Sequence, residues 1–191
     1  MTYARGRICW DADSHLMPKP DFLSKHADPA IRDALKIGGG NNGGERFQKW
    51  FGKIVESVEE RISDPNKTAE LEENVIASAK GWAAHGAVVA EERSRTLDLL
   101  GFRGQLVFST FAGHYLASRD PDLVYGGTRA HTRAMADFCA NDERLMAADS
   151  GGRMRESNSG GTRESRDEQL GRPASLKPIA AALCSAFDSA L

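Results

Sequence analysis

Ile8-Cys9-Trp10-Asp11-Ala12-Asp13-Ser14-His15 reads as an apolar strand running into a polar turn. Residues 7–13 predict a buried strand. Alternate side chains of a strand share a face, so Asp11, Asp13 and His15 are expected to point the same way, with Cys9 behind them. A carboxylate and an imidazole at i and i+2 can hold one divalent cation at about 2.0–2.2 Å per ligand. Such oxygen and nitrogen donors suit zinc, manganese and iron alike. A strand whose carboxylates cap the following turn would carry the same residues, and the spacing alone leaves both readings open.

Outward from this run the pattern alternates between helical and strand periods. Pro18 and Pro20 break the chain, and Asp21-Phe22-Leu23 can open a short helix. Asp28-Pro29 is a stronger start signal, with Asp at the N-cap and Pro at the first helical position; Ile31, Ala34 and Leu35 would face inward. Ile37 to Gly44 is a loop with five glycines and two asparagines. Phe47, Trp50, Phe51, Ile54, Val55, Val58 and Ile62 then recur at spacings of three and four, an amphipathic helix whose apolar stripe is read as core. Asp64-Pro65 ends it. A helix is expected over 67–82, with Leu71, Val75, Ile76 and Ala79 on one side, and another over 88–100, stopped by Gly101. Gln105 to Thr110 is a short apolar run of the buried parallel-strand type. After a loop from Phe111 to Asp120, Asp120-Pro121 starts a helix to about Ala140, weakened in its first half by Gly126-Gly127. Leu145-Met146-Ala147 begins another strand. Strand, helices, strand, helix, strand is the opening of an α/β fold with parallel strands and helical crossovers.

The remainder changes character. From Asp149 to Pro178 there is no Val, Ile, Phe, Tyr, Trp or Cys, and six acidic and six basic residues are mixed between Asp149 and Leu191. Such a stretch buries too little apolar surface to offset its ordering entropy, so 148–191 is expected to be an atypical, disordered tail in which only Pro178 to Leu191 could form a short helix. Lys+Arg 25 against Asp+Glu 27 gives a net charge of -2 over 191 residues, which offers no electrostatic case for nucleic acid or an anionic membrane. Cys9, Cys139 and Cys184 are odd in number and far apart; they form neither a disulfide framework nor a zinc pattern, and a reducing cytoplasm is the expectation. No apolar signal-peptide core and no 18-residue apolar run is found.

Three segments together resemble one family. Asp11-Ala12-Asp13-Ser14-His15-Leu16-Met17-Pro18-Lys19-Pro20-Asp21-Phe22-Leu23 resembles the opening of the amidohydrolase-related (amidohydrolase 2) family of metal-dependent hydrolases and decarboxylases, the group typified by aminocarboxymuconate semialdehyde decarboxylase. Members open with a strand ending in HxH or a variant such as DxH. Asp13 and His15 occupy the two ligand positions here, and Lys19-Pro20 stands where many relatives have Glu-Pro. Arg95 to Phe102 followed by Gln105 to Thr110 resembles the family's helix, Gly-Phe, apolar strand unit. Asp120 to Cys139 followed by Asp142-Glu143-Arg144-Leu145 resembles its next helix and the "D-x-R-L" approach to the next strand. The resemblance covers about residues 8–147.

It implies a TIM (β/α)8 barrel with a divalent metal at the C-terminal mouth of its strands, zinc first, with manganese or iron as the alternatives. A full barrel takes about 250 residues and at least about 200. Residues 1–147 would therefore be an incomplete N-terminal part of the barrel, with a helical insertion at about 37–85. The implied metal ligands are Asp13 and His15. Asp11 is a candidate contact to the ligands or the substrate. His114, following the strand at 105–110, is either such a contact or a solvated loop histidine. The implied reaction is hydrolysis or decarboxylation of a small carboxylate or amide, with the cation lowering the pKa of a bound water towards about 7 and polarising a carbonyl or carboxylate. The family draws its further ligands and its acid/base from later strands, and 148–191 contains no histidine. The expectation is a truncated site of doubtful activity, its tail arising from a reading-frame shift or a degenerate gene copy, with a genuine divergent C-terminus as the alternative. Two other readings stay open: a non-catalytic fragment that associates with another polypeptide, for instance as a homodimer, and a small α/β binding domain in which Asp13 and His15 are structural.

Overall fold

The computed structural model describes residues 2–37, 44–77 and 80–148. The tail and short helix expected beyond Ala148 lie outside them. The described chain is mixed α/β. Three parallel strands, β1 (Trp10–Leu16), β2 (Gly104–Ser109) and β3 (Leu145–Ala147), stand side by side in the order β1-β2-β3. Helices α1 (Gly44–Ser63), α2 (Pro65–Glu73) and α3 (Ala90–Leu100) separate the first two strands, and α4 (Pro121–Cys139) the last two. Among the described residues no helix is long and apolar enough to cross a membrane.

The helix boundaries follow local chemistry. Asp64 ends α1 and also begins α2, its carboxylate accepting the Asn66 N–H at 2.9 Å with Pro65 next in line. Asp120 caps α4 in the same way, accepting the Asp122 N–H at 3.0 Å. These satisfy backbone donors that have no partner within the helix. Gly101 stops α3 in the left-handed conformation, φ 76°, returning its N–H to the Leu97 carbonyl at 2.8 Å. A residue with a Cβ pays sterically for that conformation and glycine does not.

Two expected helices take another form. At Asp28-Pro29 the chain makes two single turns, Pro29–Ile31 and Asp33–Leu35. The Asp28 side chain caps neither. It accepts instead from Arg129 at 2.8 Å and Arg133 at 3.0 Å on α4, charge-assisted bonds that outcompete a neutral backbone donor. The helix expected over 67–82 ends at Glu73, where the Asn74 side chain bonds back to the Glu70 carbonyl and ends the repeat. The first strand begins at Trp10 rather than at residue 7.

One face of the sheet is buried. Leu16, Val107 and Leu145 pack with Leu97 of α3 and Met135, Phe138 and Cys139 of α4. A second cluster, Leu23, Leu35, Phe51, Ala112, Tyr115 and Ala130 among them, fills the space beneath the loops. Phe51 and Val58 bury the stripe of α1, while Trp50 on its flank stays half-exposed. The glycine pair in α4 does not weaken that helix. Gly127 lies against the Tyr115 ring and Gly126 against Ile31, so close that a side chain at either position would collide. The other face of the sheet carries Trp10, Leu106, Phe108 and Met146, none of them buried.

Candidate functional site

Asp13 and His15 lie at the C-terminal end of β1 and touch. Asp13 Oδ1 is 3.1 Å from His15 Nε2. His15 Nδ1 is 3.1 Å from Thr110 Oγ1, just past the end of β2, and the imidazole stacks on Phe108 with centroids 5.7 Å apart. A carboxylate only accepts, so His15 donates from Nε2 to Asp13, and in the neutral imidazole its Nδ1 then accepts the Thr110 hydroxyl. Both partners are open to solvent, with 88% of the Asp13 side chain and 45% of the His15 side chain exposed.

The expectation that Asp11 points the same way as Asp13 and His15 is corrected. Trp10 and Asp11 pair with Gly104 and Gln105, whereas Ser14 pairs with Val107. Two residues of β1, Ala12 and Asp13, therefore stand against Leu106 alone. This bulge reverses the alternation of faces. Asp11 falls on the buried side with Ser14 and Leu16, while Asp13 stays with His15. The cause is local: Asp11 Oδ1 accepts the Asp13 N–H at 3.1 Å, curling the strand, and Asp11 Oδ2 accepts from the buried Gln105 carboxamide at 3.1 Å. Asp11 meets the pair through the backbone N–H of Asp13. It shapes the bulge that sets Asp13 against His15.

His114 stands apart. It opens the single-turn helix His114–Ala117, its ring edge-on to Tyr115, and its buried Nε2 has no hydrogen-bond partner among the described residues. No hydrogen bond or ion pair joins it to Asp13 or His15. Of the other histidines, His131 Nε2 lies 2.6 Å from Ser109 Oγ between β2 and α4, and His26 sits 3.7 Å from Asp137. His85 is buried under α3, its Nδ1 2.8 Å from Thr96 Oγ1 and its Nε2 3.7 Å from Glu72. Burial holds the His85 imidazole below the ordinary histidine pKa, although Glu92 and Glu72 pull the other way. The Cys139 thiol, also buried, is pushed up to about 11 and is inert as a nucleophile at neutral pH.

Several contributors escape a reading of the sequence. Thr110 closes an apolar run and gives no hint of its histidine partner. Arg93 is 6% exposed, and burial lowers its guanidinium to about 10. Its signal was available: it lies one turn before Leu97, on the side of α3 that the helical period turns inward. A separate set of aromatic rings gathers around Trp82. Phe111, held at φ 59°, stacks on Trp82 at 5.4 Å, and Trp82 meets Phe51 and Trp50 edge-on.

The donors fit a divalent cation in part. Two ligands about 2.1 Å from one metal, subtending 90–110°, stand about 3.0–3.4 Å apart, and the Asp13–His15 separation of 3.1 Å falls in that range. The Thr110 hydroxyl can also reverse its role and accept an Nδ1–H, the arrangement a metal-bound imidazole requires. Among the described residues no third His, Cys, Asp or Glu converges on the pair. In comparisons with protein-family models and with curated proteins, none matches this chain.

Proposed function

We propose that this chain is the N-terminal part of a metal-dependent hydrolase or decarboxylase of the amidohydrolase-related kind, acting on a small carboxylate or amide. Residues 2–148 would be the first three strand units of a TIM-type barrel, with α1 and α2 as its helical insertion. The observation that carries the reading is the Asp13–His15 pair, two donors at ligand spacing on the solvent-exposed C-terminal end of a parallel strand. Strand ends on that side are where such folds place their chemistry. The helix-covered outer face and the uncovered face bearing Leu106, Phe108 and Met146 agree with strands that would line a barrel interior.

Asp13 and His15 would hold the cation, zinc first, and Thr110 would orient the imidazole. The cation supplies a Lewis acid able to polarise a carbonyl or carboxylate oxygen. The chain's own contribution is positional: the bulge fixes Asp13, and Phe108 and Thr110 fix the plane of His15. Two protein donors alone bind metal weakly, so the test is direct titration of the 191-residue chain with Co²⁺ or Zn²⁺ against a competing chelator. One equivalent lost in the Asp13→Ala/His15→Ala double variant supports the reading. A double variant that keeps all the bound metal ends it.

A further inference from the structure

We propose that Arg93 is a positioning residue for this ligand pair, holding the end of β1 so that His15 can meet a cation together with Asp13. The inference rests on the metal reading above and names the side chain that makes it geometrically possible.

All three nitrogens of the Arg93 guanidinium donate. Nε bonds the Gly86 carbonyl at 2.6 Å, Nη1 the Ser14 hydroxyl at 2.5 Å, and Nη2 the His15 carbonyl at 2.6 Å. The three acceptors are neutral, and among the described residues no carboxylate forms an ion pair with Arg93. A buried cation without a paired anion is costly, and a Leu or Met at this point of α3 would fill the space at less expense. What an apolar residue could not do is tie two separate segments together. Ser14 and His15 belong to β1; Gly86 belongs to the loop before α3. The same loop takes the Met17 N–H at the Ala87 carbonyl, 2.7 Å. Residues 14–17 are thus held at Ser14 and His15 by Arg93 and at Met17 by Ala87.

The side chains of the pair are open to solvent. Asp13 is almost fully exposed, and among the described residues His15 bonds Thr110 and Asp13 and stacks on Phe108. Their relative position therefore depends on where the backbone puts the two Cβ atoms. An error of about 1 Å is enough to spoil a ligand constellation. Lysine offers one point charge in place of the planar fork and cannot reach three acceptors in fixed directions.

The experiment titrates Co²⁺ into the full chain, wild type and variants, reading affinity by chelator competition and ligand geometry by the visible Co²⁺ absorption, with far-UV circular dichroism as the measure of folding. Arg93→Lys is expected to stay folded and to bind Co²⁺ about ten-fold or more weakly, the size of effect seen when a ligand's supporting hydrogen bonds are removed. Ser14→Ala, which deletes one of the three acceptors and keeps the charge, is expected to shift affinity less and in the same direction. Folded Arg93→Lys with wild-type affinity and spectrum overturns the inference while leaving the metal reading intact. If Arg93→Lys does not fold, Ser14→Ala decides: weakened binding supports the inference and unchanged binding overturns it. Wild-type chain with no Co²⁺ bound through Asp13 and His15 overturns both.

Discussion

Glycine to alanine in a helix is ordinarily stabilising by about 0.8–1.0 kcal/mol, because alanine has less backbone freedom to lose. In this protein the same substitution should carry opposite signs at two helical positions. A Cβ built on Gly127 of α4 would lie 2.5 Å from both Cγ and Cδ2 of Tyr115 and 3.0 Å from its Cβ. Carbon atoms in ordinary contact are about 3.5–4.0 Å apart, so the ring would have to retreat by about 1 Å. It has nowhere to go, since Tyr115 is 1% exposed and packed into the core beneath the loops. The clash with Tyr115 Cβ is close to the backbone, so rotating the ring does not relieve it. Overpacking of this kind costs about 1–3 kcal/mol; with a rigid neighbour the upper part of that range applies. After subtracting the helical gain, Gly127→Ala should destabilise by about 1–2 kcal/mol. Gly52 of α1 has nothing within 4 Å of its would-be Cβ, and Gly52→Ala should stabilise by up to about 1 kcal/mol. Urea denaturation followed by circular dichroism measures both. In a domain of this size 1 kcal/mol corresponds to about 2–4 °C in Tm, so heating the two variants should separate them clearly. A Gly127→Ala protein as stable as the wild type would refute the argument that glycine is there for close packing.

His85 predicts a pH dependence. Its native pKa lies below the unfolded value of about 6.5, so above that pH neither state binds the proton. As pH falls below 6.5 the unfolded chain takes up a proton that the native chain refuses, and stability is lost at up to about 1.4 kcal/mol per pH unit until native His85 is itself protonated. Urea midpoints at pH 7.5 and 5.5 should therefore differ more for the wild type than for His85→Asn; equal losses would count against it. Leu97 is fully buried between α3 and the sheet, and Leu97→Ala should cost about 3–4 kcal/mol in the same denaturation assay. A loss under about 1 kcal/mol would mean that the buried face is not the core that its packing implies.

The parts of this fold that can be read from the chain are those encoded by near neighbours. Asp-Pro at 64–65 and at 120–121, and Gly101 after Leu100, each act within one helical turn, and each boundary falls where its signal stands. Asp28-Pro29 carries the same signal, yet its carboxylate is claimed by two arginines about 100 residues away. No local pattern announces such a competitor. The site divides in the same way. The Asp13–His15 contact follows from strand spacing, which holds between residues 13 and 15. It fails between 11 and 13, where one side-chain-to-backbone bond inserts the bulge. Gly126-Gly127 misleads for a related reason: propensity scores the backbone, whereas Ile31 and Tyr115, which occupy the space of the missing side chains, come from outside the helix.

The strand order β1-β2-β3 also sets a timetable. Gln105 and Leu145, partners across β2 and β3, are separated by about 40 residues, whereas Asp11 and Gln105 across β1 and β2 are 94 apart. By the logarithmic dependence of loop closure on length, joining the longer span costs about 0.8 kcal/mol more chain entropy, roughly a four-fold slower encounter. On that ground the β2–α4–β3 unit, with its short connection and its own buried face, is expected to gather before β1 docks on it with Asp13 and His15. Thr110 and the Phe108 ring would then be in place before the residues they orient, and φ-values near zero for substitutions in β1 would bear this order out.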